Sequence, residues 1–271
     1  MATSSQERVE QARAREDLPA LRTRALDRAP PPPLVRSQSG FDLIAEVKLR
    51  APSAGVLSRP PDPEREVARR ARAYADAGAA AISVLTEPSR FDGDLSHLAA
   101  AAAVSPVPVL RKDFLVDPYQ VWEARAAGAG GVLLITRMLE DVVLDAALSA
   151  VAEAGMFALL EAFDGHDLDR TARAVAQWPT DAPTPLVGVN SRDLTSLEVD
   201  LGRLPSLVAR IPEGTVPVAE SGVTTPDDAA SVARAGYALV LVGTALMLAP
   251  DSRVFARALL EAGRSARGGS Q

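Results

Sequence analysis

The sequence predicts an α/β protein, a single closed (β/α)8 TIM barrel behind an N-terminal helical extension, and three observations predict it. Eight short apolar runs alternate with Ala-rich amphipathic segments, the rhythm of βα units on a parallel sheet. A chain of 271 residues suits eight such units closed into one barrel rather than an open doubly wound sheet. No Gly-rich nucleotide turn follows the first strand, since "KLRAPSAG" (48–55) matches neither a dinucleotide fingerprint nor a P-loop.

Taken in order, residues 1–40 read as a helical start ending in the breaker "APPPPLVRSQSG", where successive prolines exclude helix. Residues 41–265 read as the barrel and 266–271 as a disordered tail. The strand runs are "DLIAEVK" (42–48), "AAAISVLTE" (79–87), "VPVLRKDF" (107–114), "GGVLLIT" (130–136), "MFALLEAFD" (156–164), "PLVGVNSRD" (185–193), "TVPVAESG" (215–222) and "YALVLVGTA" (237–245). Between them lie helix patterns such as "DPYQVWEARAAGA", "LEDVVLDAALSAVAEAG" and "TPDDAASVARAGY", which begin on Asp or Thr-Pro and stop at Gly, where caps are expected. The phrase "ARAAGAGGVLLI" is echoed by "ARAGYALVLVGT", a repeat of βα architecture rather than a solenoid.

Composition narrows the function. Hydrophobic residues make up 47%, charged residues 24% and aromatics only 4%, with a net charge of −6. That is the balance of an ordinary globular domain without a basic surface or stacking platform for nucleic acid. There is no cysteine, so disulfides, thiolate metal sites and a Cys nucleophile are excluded. No apolar signal core or membrane-length run appears, and the expectation is a cytoplasmic protein off the membrane. The two histidines, His97 and His166, fall at expected helix starts, which leaves acid–base chemistry to lysines and carboxylates.

The ends of the strands carry that chemistry. In a closed parallel barrel they converge on one face, and polar or charged groups interrupt the apolar runs there: Glu46 and Lys48 on the first, Lys112 and Asp113 on the third, Glu161 on the fifth, Asn190 and Arg192 on the sixth, Glu220 and Ser221 on the seventh. Glu46 and Lys48 alternate onto one side. A lysine between apolar walls and beside a second lysine is expected to have a lowered pKa, while a carboxylate in the same pocket is held ionised by the cations. The glycines of "AESGV" and "LVGTALM" end strands seven and eight, where such barrels hold phosphate on backbone N–H groups.

Read together, "IAEVKLRAPSAG", "ISVLTEPSRFDGDLSHL", "PVLRKDFLVDPYQVWEARAAGAGGVLLI", "LLEAFD", "VGVNSRDLTSLEVDL", "VAESGV" and "VGTALM" resemble the indole-3-glycerol phosphate synthase family, in order from Asp42 to Met247. The resemblance implies closure of the indole ring of 1-(2-carboxyphenylamino)-1-deoxyribulose 5-phosphate with loss of CO2 and water, without cofactor or metal. It implies Lys112 as general acid of ring closure, Glu161 as base of dehydration, and Glu46 as its partner. Lys48 is implied to meet the substrate carboxylate or to act as the acid of dehydration, and Asn190 and Ser221 to be hydrogen-bonding groups at the reacting ring. Phe91, Phe114 and Leu133 (or Leu134) resemble the walls around the anthranilate ring, with Arg192 and Glu220 beside the substrate. Gly222, Gly243, Thr244 and Ser53 resemble the phosphate pocket. Three positions depart from the family pattern: Ala51 stands where a serine is usual, Phe163 where a polar residue follows the fifth-strand glutamate, and Thr244 where Glu or Ser is commoner.

A rival enzyme, phosphoribosylanthranilate isomerase, another phosphate-binding barrel from the same pathway, is expected to use a cysteine as base, and this chain has none. The alternative from another class is a non-catalytic or retargeted barrel paralogue that binds a related phosphorylated metabolite, against which stands the cost of burying Lys112, Glu161 and Glu46. The expected partner is one small phosphorylated molecule, bound by a monomer.

Overall fold

The computed structural model describes residues 2–192 and 198–268. Its eight long strands are β1 (Asp42–Val47), β2 (Ala81–Leu85), β3 (Val109–Lys112), β4 (Gly131–Ile135), β5 (Phe157–Ala162), β6 (Leu186–Asn190), β7 (Val216–Glu220) and β8 (Leu239–Val242). Each pairs in parallel with the next, and β8 returns to β1 through Asp42 opposite Leu239, which closes the barrel. All eight lie within the apolar runs read from sequence.

Side chains alternate along each strand between the barrel interior and the helix layer. Ile44, Leu110, Leu133, Ile135, Leu159, Leu186, Val218 and Leu241 belong to the inner cluster, whereas Leu43, Ala45, Val132, Leu134, Leu160, Val187 and Val240 pack outward against helices. Both faces are therefore apolar and the strands read as continuous hydrophobic runs, as buried parallel sheets do. Near the floor Gly131 makes room for the Phe157 ring, which a Cβ there would approach to 2.5 Å.

The outer layer contains α3 (Pro63–Asp76), α4 (Leu95–Val104), α5 (Tyr119–Ala127), α6 (Asp141–Glu153), α7 (Gly165–Val175), α8 (Pro226–Ala235) and α9 (Ser252–Gly268), preceded by α1 (Ala2–Arg15) and α2 (Leu18–Leu26) of the extension. The expected caps are present: Asp62, Asp94 and Asp164 accept backbone N–H groups at the starts of α3, α4 and α7, and Thr225 and Asp228 form a reciprocal capping box on α8. The final helix runs to Gly268, beyond the expected barrel end at 265; residues 269–271 of the expected tail, and Asp193 and Leu194 of the motif after β6, lie outside the described residues. A short antiparallel hairpin, Arg50–Ala51 with Gly55–Val56, follows β1 and was not anticipated. No described helix is long and apolar enough to cross a membrane.

Candidate active site

A cavity of about 400 Å³ opens where the strands end, and Lys48, Lys112, Glu46, Glu161, Asn190, Arg192 and Glu220 all border it. Counting by twos from the inner cluster explains the convergence. Ile44 leads to Glu46, Leu110 to Lys112, Leu159 to Glu161, Leu186 through Gly188 to Asn190, and Val218 to Glu220. The same strands that bury leucine on the floor thus present charge at the mouth. The remaining residues singled out in the sequence, Phe91, Phe114, Leu133, Ser53, Ser221, Gly222, Gly243 and Thr244, also line this cavity; Leu134 instead belongs to the outward cluster.

Of the three consecutive charges at the end of β3, Lys112 points its charge into the barrel, while Asp113 borders the same cavity with its carboxylate turned to outer partners. The Lys112 Nζ lies 3.0 Å from Glu161 Oε2 and 3.5 Å from Glu220 Oε2. Arg111 faces outward, donating to the carbonyl of Gln120 and to Thr86. Asp113 is fully enclosed and accepts two bonds of 2.8 Å from Arg8 of α1, with Thr86 at 2.7 Å and Arg111 at 3.2 Å. Burial opposes its charge, but Arg8 and Arg111 hold the carboxyl down to about 2. Ser5 of α1 donates to the Phe114 carbonyl at 2.5 Å, so the extension clamps the segment that carries both Lys112 and Phe114.

The expected lowering of the Lys112 pKa is corrected. Burial pulls it down, yet Glu161, Glu220 and Glu46 together outweigh burial and hold it above the ordinary lysine value. Three carboxylates around the ammonium make it a firmly charged donor, where apolar walls alone would have discharged it. The other lysine is paired as well, with Lys48 Nζ 2.6 Å from Glu46 Oε1. Glu220 is raised as well, with the opposite consequence for its charge: burial first, and the charge of Glu161 second, push its carboxyl up to about 8 despite Lys112.

Asn190 donates from Nδ2 to Glu161 Oε1 at 2.9 Å and accepts the backbone N–H of Arg192 at 2.9 Å. This chain of bonds turns the other oxygen of Glu161 toward Lys112. Two glycines give the carboxylates their seats. A Cβ at Gly188 would lie 1.8 Å from Glu220 Oε1, and one at Gly243 would lie 2.2 Å from Glu46 Oε1 and 3.0 Å from Lys48 Nζ.

The apolar side of the cavity includes the rings of Phe91 and Phe114, 6.3 Å apart and tilted by 50°. The phosphate-type side is built from turns. Ser221 and Gly222 are both left-handed, at φ 66° and 82°, and the Ser221 carbonyl accepts from Ser191 Oγ at 3.0 Å. A serine in that region costs about 1 kcal/mol, a local strain held at the mouth of the cavity. After β8 a short helix, Thr244–Leu248, starts at Gly243, the arrangement that such barrels use for anions.

Phe163, expected near the site, is not in the cavity lining. It is buried in the inner cluster, with the Arg137 guanidinium 4.5 Å from its ring centre. Ala51 does border the cavity, from the hairpin. Sequence reading missed Arg90, Thr224, Ile135 and Leu241 in the lining; the last two were available from the alternation alone. A larger cavity of about 560 Å³ lies in the outer layer beside Trp178. Its carboxylates, Asp145, Glu153 and Asp181, are exposed, and no strand end reaches it, so the chemistry belongs to the barrel mouth. Among the described residues Asp164, His166 and Asp167 come together, but Arg137 already pairs with both aspartates at 2.6 and 2.7 Å.

A family model described as indole-3-glycerol phosphate synthase matches residues 1–259. Among curated proteins, the indole-3-glycerol phosphate synthase of Kineococcus radiotolerans is 46% identical over 226 residues, covering 83% of this chain and 78% of that protein. That of Beutenbergia cavernae is 45% identical over 230 residues, covering 85% and 81%, and that of Mycobacterium avium (strain 104) 43% over 255 residues, covering 92% and 89%. Among solved structures, 3-hexulose-6-phosphate synthase from Salmonella typhimurium superposes with a TM-score of 0.64 at 17% identity, over 83% of this chain and 99% of the other. Thiamine phosphate pyrophosphorylase from Pyrococcus furiosus gives 0.60 at 17%, over 84% and 98%; at such identity these two speak for the fold alone.

Proposed function

The chain belongs to the indole-3-glycerol phosphate synthase family, a carbon–carbon lyase family of tryptophan biosynthesis, and we propose that the residues at its barrel mouth close the indole ring of 1-(2-carboxyphenylamino)-1-deoxyribulose 5-phosphate. The observation that carries the residue assignment is Lys112 held between Glu161 and Glu220, an ammonium aimed into the cavity with a glutamate side chain on either side.

The anthranilate ring lies between Phe91, Phe114 and Leu133, and the phosphate meets the backbone N–H groups around Gly222, Gly243 and Thr244, with Ser53 across the mouth. Lys48 and Arg192 face the substrate carboxylate. Anchoring both ends brings the ring carbon to the carbonyl and removes the entropy of finding that geometry. Lys112 then protonates the carbonyl oxygen as the carbon–carbon bond forms, the carboxylate leaves as CO2, and the ring regains aromaticity. In the second half the hydroxyl leaves as water while Glu161 takes the proton from the adjacent carbon, its orientation kept by Asn190. Glu46 and Ser221 complete the polar shell. Ring closure puts negative charge on an oxygen and positive charge at the anilinium-like nitrogen, so an ammonium opposite carboxylates stabilises both. Each such contact is worth a few kcal/mol, on the order of 10² to 10³ in rate.

The enzyme acts on this one small phosphorylated molecule, as a monomer in the cytoplasm; sedimentation velocity of the purified chain checks the monomer. For the reaction, the protein is mixed with the substrate, and indole fluorescence is followed together with CO2 release. Turnover at an ordinary enzymatic rate is expected. Tight binding without turnover would instead favour a retargeted phosphorylated-metabolite binder.

A further inference from the structure

The proton inventory of the reaction asks more of the site than one acid and one base. The same substrate oxygen is protonated twice, once when the carbonyl becomes a hydroxyl and again when that hydroxyl leaves as water, whereas one proton is removed from carbon. A Lys112 that has given its first proton is a neutral amine, and either it is recharged between the halves or another group replaces it. This need for a second proton rests on the synthase reading.

The buried charges show where a second proton can be kept. Glu46, Glu161 and Glu220 face Lys48 and Lys112, an excess of one negative charge, to which the bound substrate adds its own. Glu46 is committed to Lys48 at 2.6 Å, and Glu161 holds both Lys112 and Asn190. Glu46 and Glu220 each bury one oxygen without a hydrogen-bond partner, Oε2 and Oε1, but the hold on Glu220 is the weaker, one contact of 3.5 Å to Lys112 against 2.6 Å between Glu46 and Lys48. Among the described residues, no lining group donates to that Glu220 oxygen: Glu87 caps the N–H groups of Ser89 and Arg90, and Asp113 is turned to Arg8 and Arg111, while Arg90 and Arg192 also border the cavity. The seat of that orphan oxygen exists only because residue 188 is glycine, since any Cβ there would stand 1.8 Å from it. Burial and the neighbouring Glu161 raise the Glu220 carboxyl to about 8, in agreement with the charge count.

We propose that Glu220 is the proton store of Lys112, and that Gly188 is the positioning residue that holds it in reach. After the Lys112 ammonium has protonated the carbonyl oxygen, the Glu220 O–H bond breaks, and its proton joins the lone pair of the Lys112 amine. The restored ammonium gives the second proton to the same oxygen as it departs as water. Glu161, having taken the proton from carbon, returns it to the Lys112 amine, and one proton from solvent reloads Glu220. That single uptake equals the proton consumed when the substrate carboxylate leaves as CO2. Lys48 remains paired with Glu46 throughout.

The test is a single turnover with enzyme in excess, in which CO2 release and indole fluorescence are timed separately for the wild type, Glu220→Gln and Gly188→Ala. Glutamine keeps the shape and loses the transferable proton. The expected result for E220Q is CO2 release within a few-fold of wild type and indole formation delayed at least tenfold, with the ring-closed alcohol captured by acid quench. G188A, which moves the carboxyl without removing it, shows a smaller delay in the same step. In the wild type the second step slows as pH rises through about 8, where Glu220 empties, and E220Q loses that limb. Indole and CO2 appearing together at the wild-type rate in E220Q would overturn the proposal and make Lys48 the second acid. An equal slowing of both signals would also overturn it, by placing Glu220 in ring closure. A wild-type protein that releases neither product fails at the synthase reading itself, before the relay is reached.

Discussion

Replacing Arg8 by alanine removes a charged partner from an enclosed carboxylate more than a hundred residues away in sequence. Asp113 has no exposed side-chain surface, and Arg8 is about a quarter exposed; the two 2.8 Å bonds between them form a bidentate, charge-assisted pair. Thr86, Arg111 and the Phe114 N–H remain on Asp113 in the variant, so the loss falls short of the 3–5 kcal/mol of a fully orphaned buried charge. Hydrogen bonds to a charged group are worth about 1.5–3 kcal/mol. The carboxyl held near 2 against an ordinary 3.8 is the balance of burial against Arg8, Arg111 and Thr86 together, so it gives the sign of the pH dependence and not the share of Arg8. The loss of the charged hydrogen bonds sets the expected cost at about 2 kcal/mol, a fall in Tm of roughly 4–8 °C for a chain of this size. The sign with pH follows from the depressed value: the stabilisation is present above about pH 4 and is lost as pH falls toward about 2. Thermal unfolding of wild type and Arg8→Ala at pH 7 and through the acid range measures both effects, and the gap between the two proteins should narrow below pH 4. A melting temperature within a degree of wild type at pH 7, or a gap that stays constant down to pH 2, would refute the account of the extension as an electrostatic clamp.

Lys112→Ala should lower kcat by at least 10² to 10³ while circular dichroism shows an intact barrel, and a near-normal rate would remove the proposed general acid. Gly243→Ala places a methyl 2.2 Å from Glu46 Oε1, so kcat/KM should fall by about 10²-fold as the Lys48 pair is displaced; steady-state kinetics with unchanged thermal stability would isolate that effect. Ala51→Ser restores a hydroxyl at a position bordering the cavity and should lower KM by a few-fold, about 1 kcal/mol. An unchanged KM would show that phosphate is held without it.

Much of the molecule was legible in the order of its residues. The eight strands were readable because a parallel sheet covered on both faces must be apolar at every position, and a charge at the end of such a run stands out. Period-two alternation carried Glu46 and Lys48 to one side, and closure of the barrel carried Lys112, Glu161, Asn190 and Glu220 to the same place. Ile135 and Leu241 could have been named by the same count. The Arg50–Val56 hairpin was not legible, because two-residue strands carry no periodic signal. Phe163 was misplaced because its position after the fifth strand says nothing of the Arg137 side chain that packs on it.

The sequence by itself determined the architecture and the identities of the groups at the mouth, since alternation and hydrophobicity are local and survive in a string of letters. Their ionisation was decided only by the tertiary structure. Electrostatic coupling depends on distance in space, and the groups that hold the proton on Lys112 come from positions 46, 161 and 220 on three other strands. The same holds for Asp113, adjacent to Lys112 in the chain yet enclosed by an arginine from the first helix. It holds too for Gly188, whose missing side chain matters only because Glu220 arrives beside it.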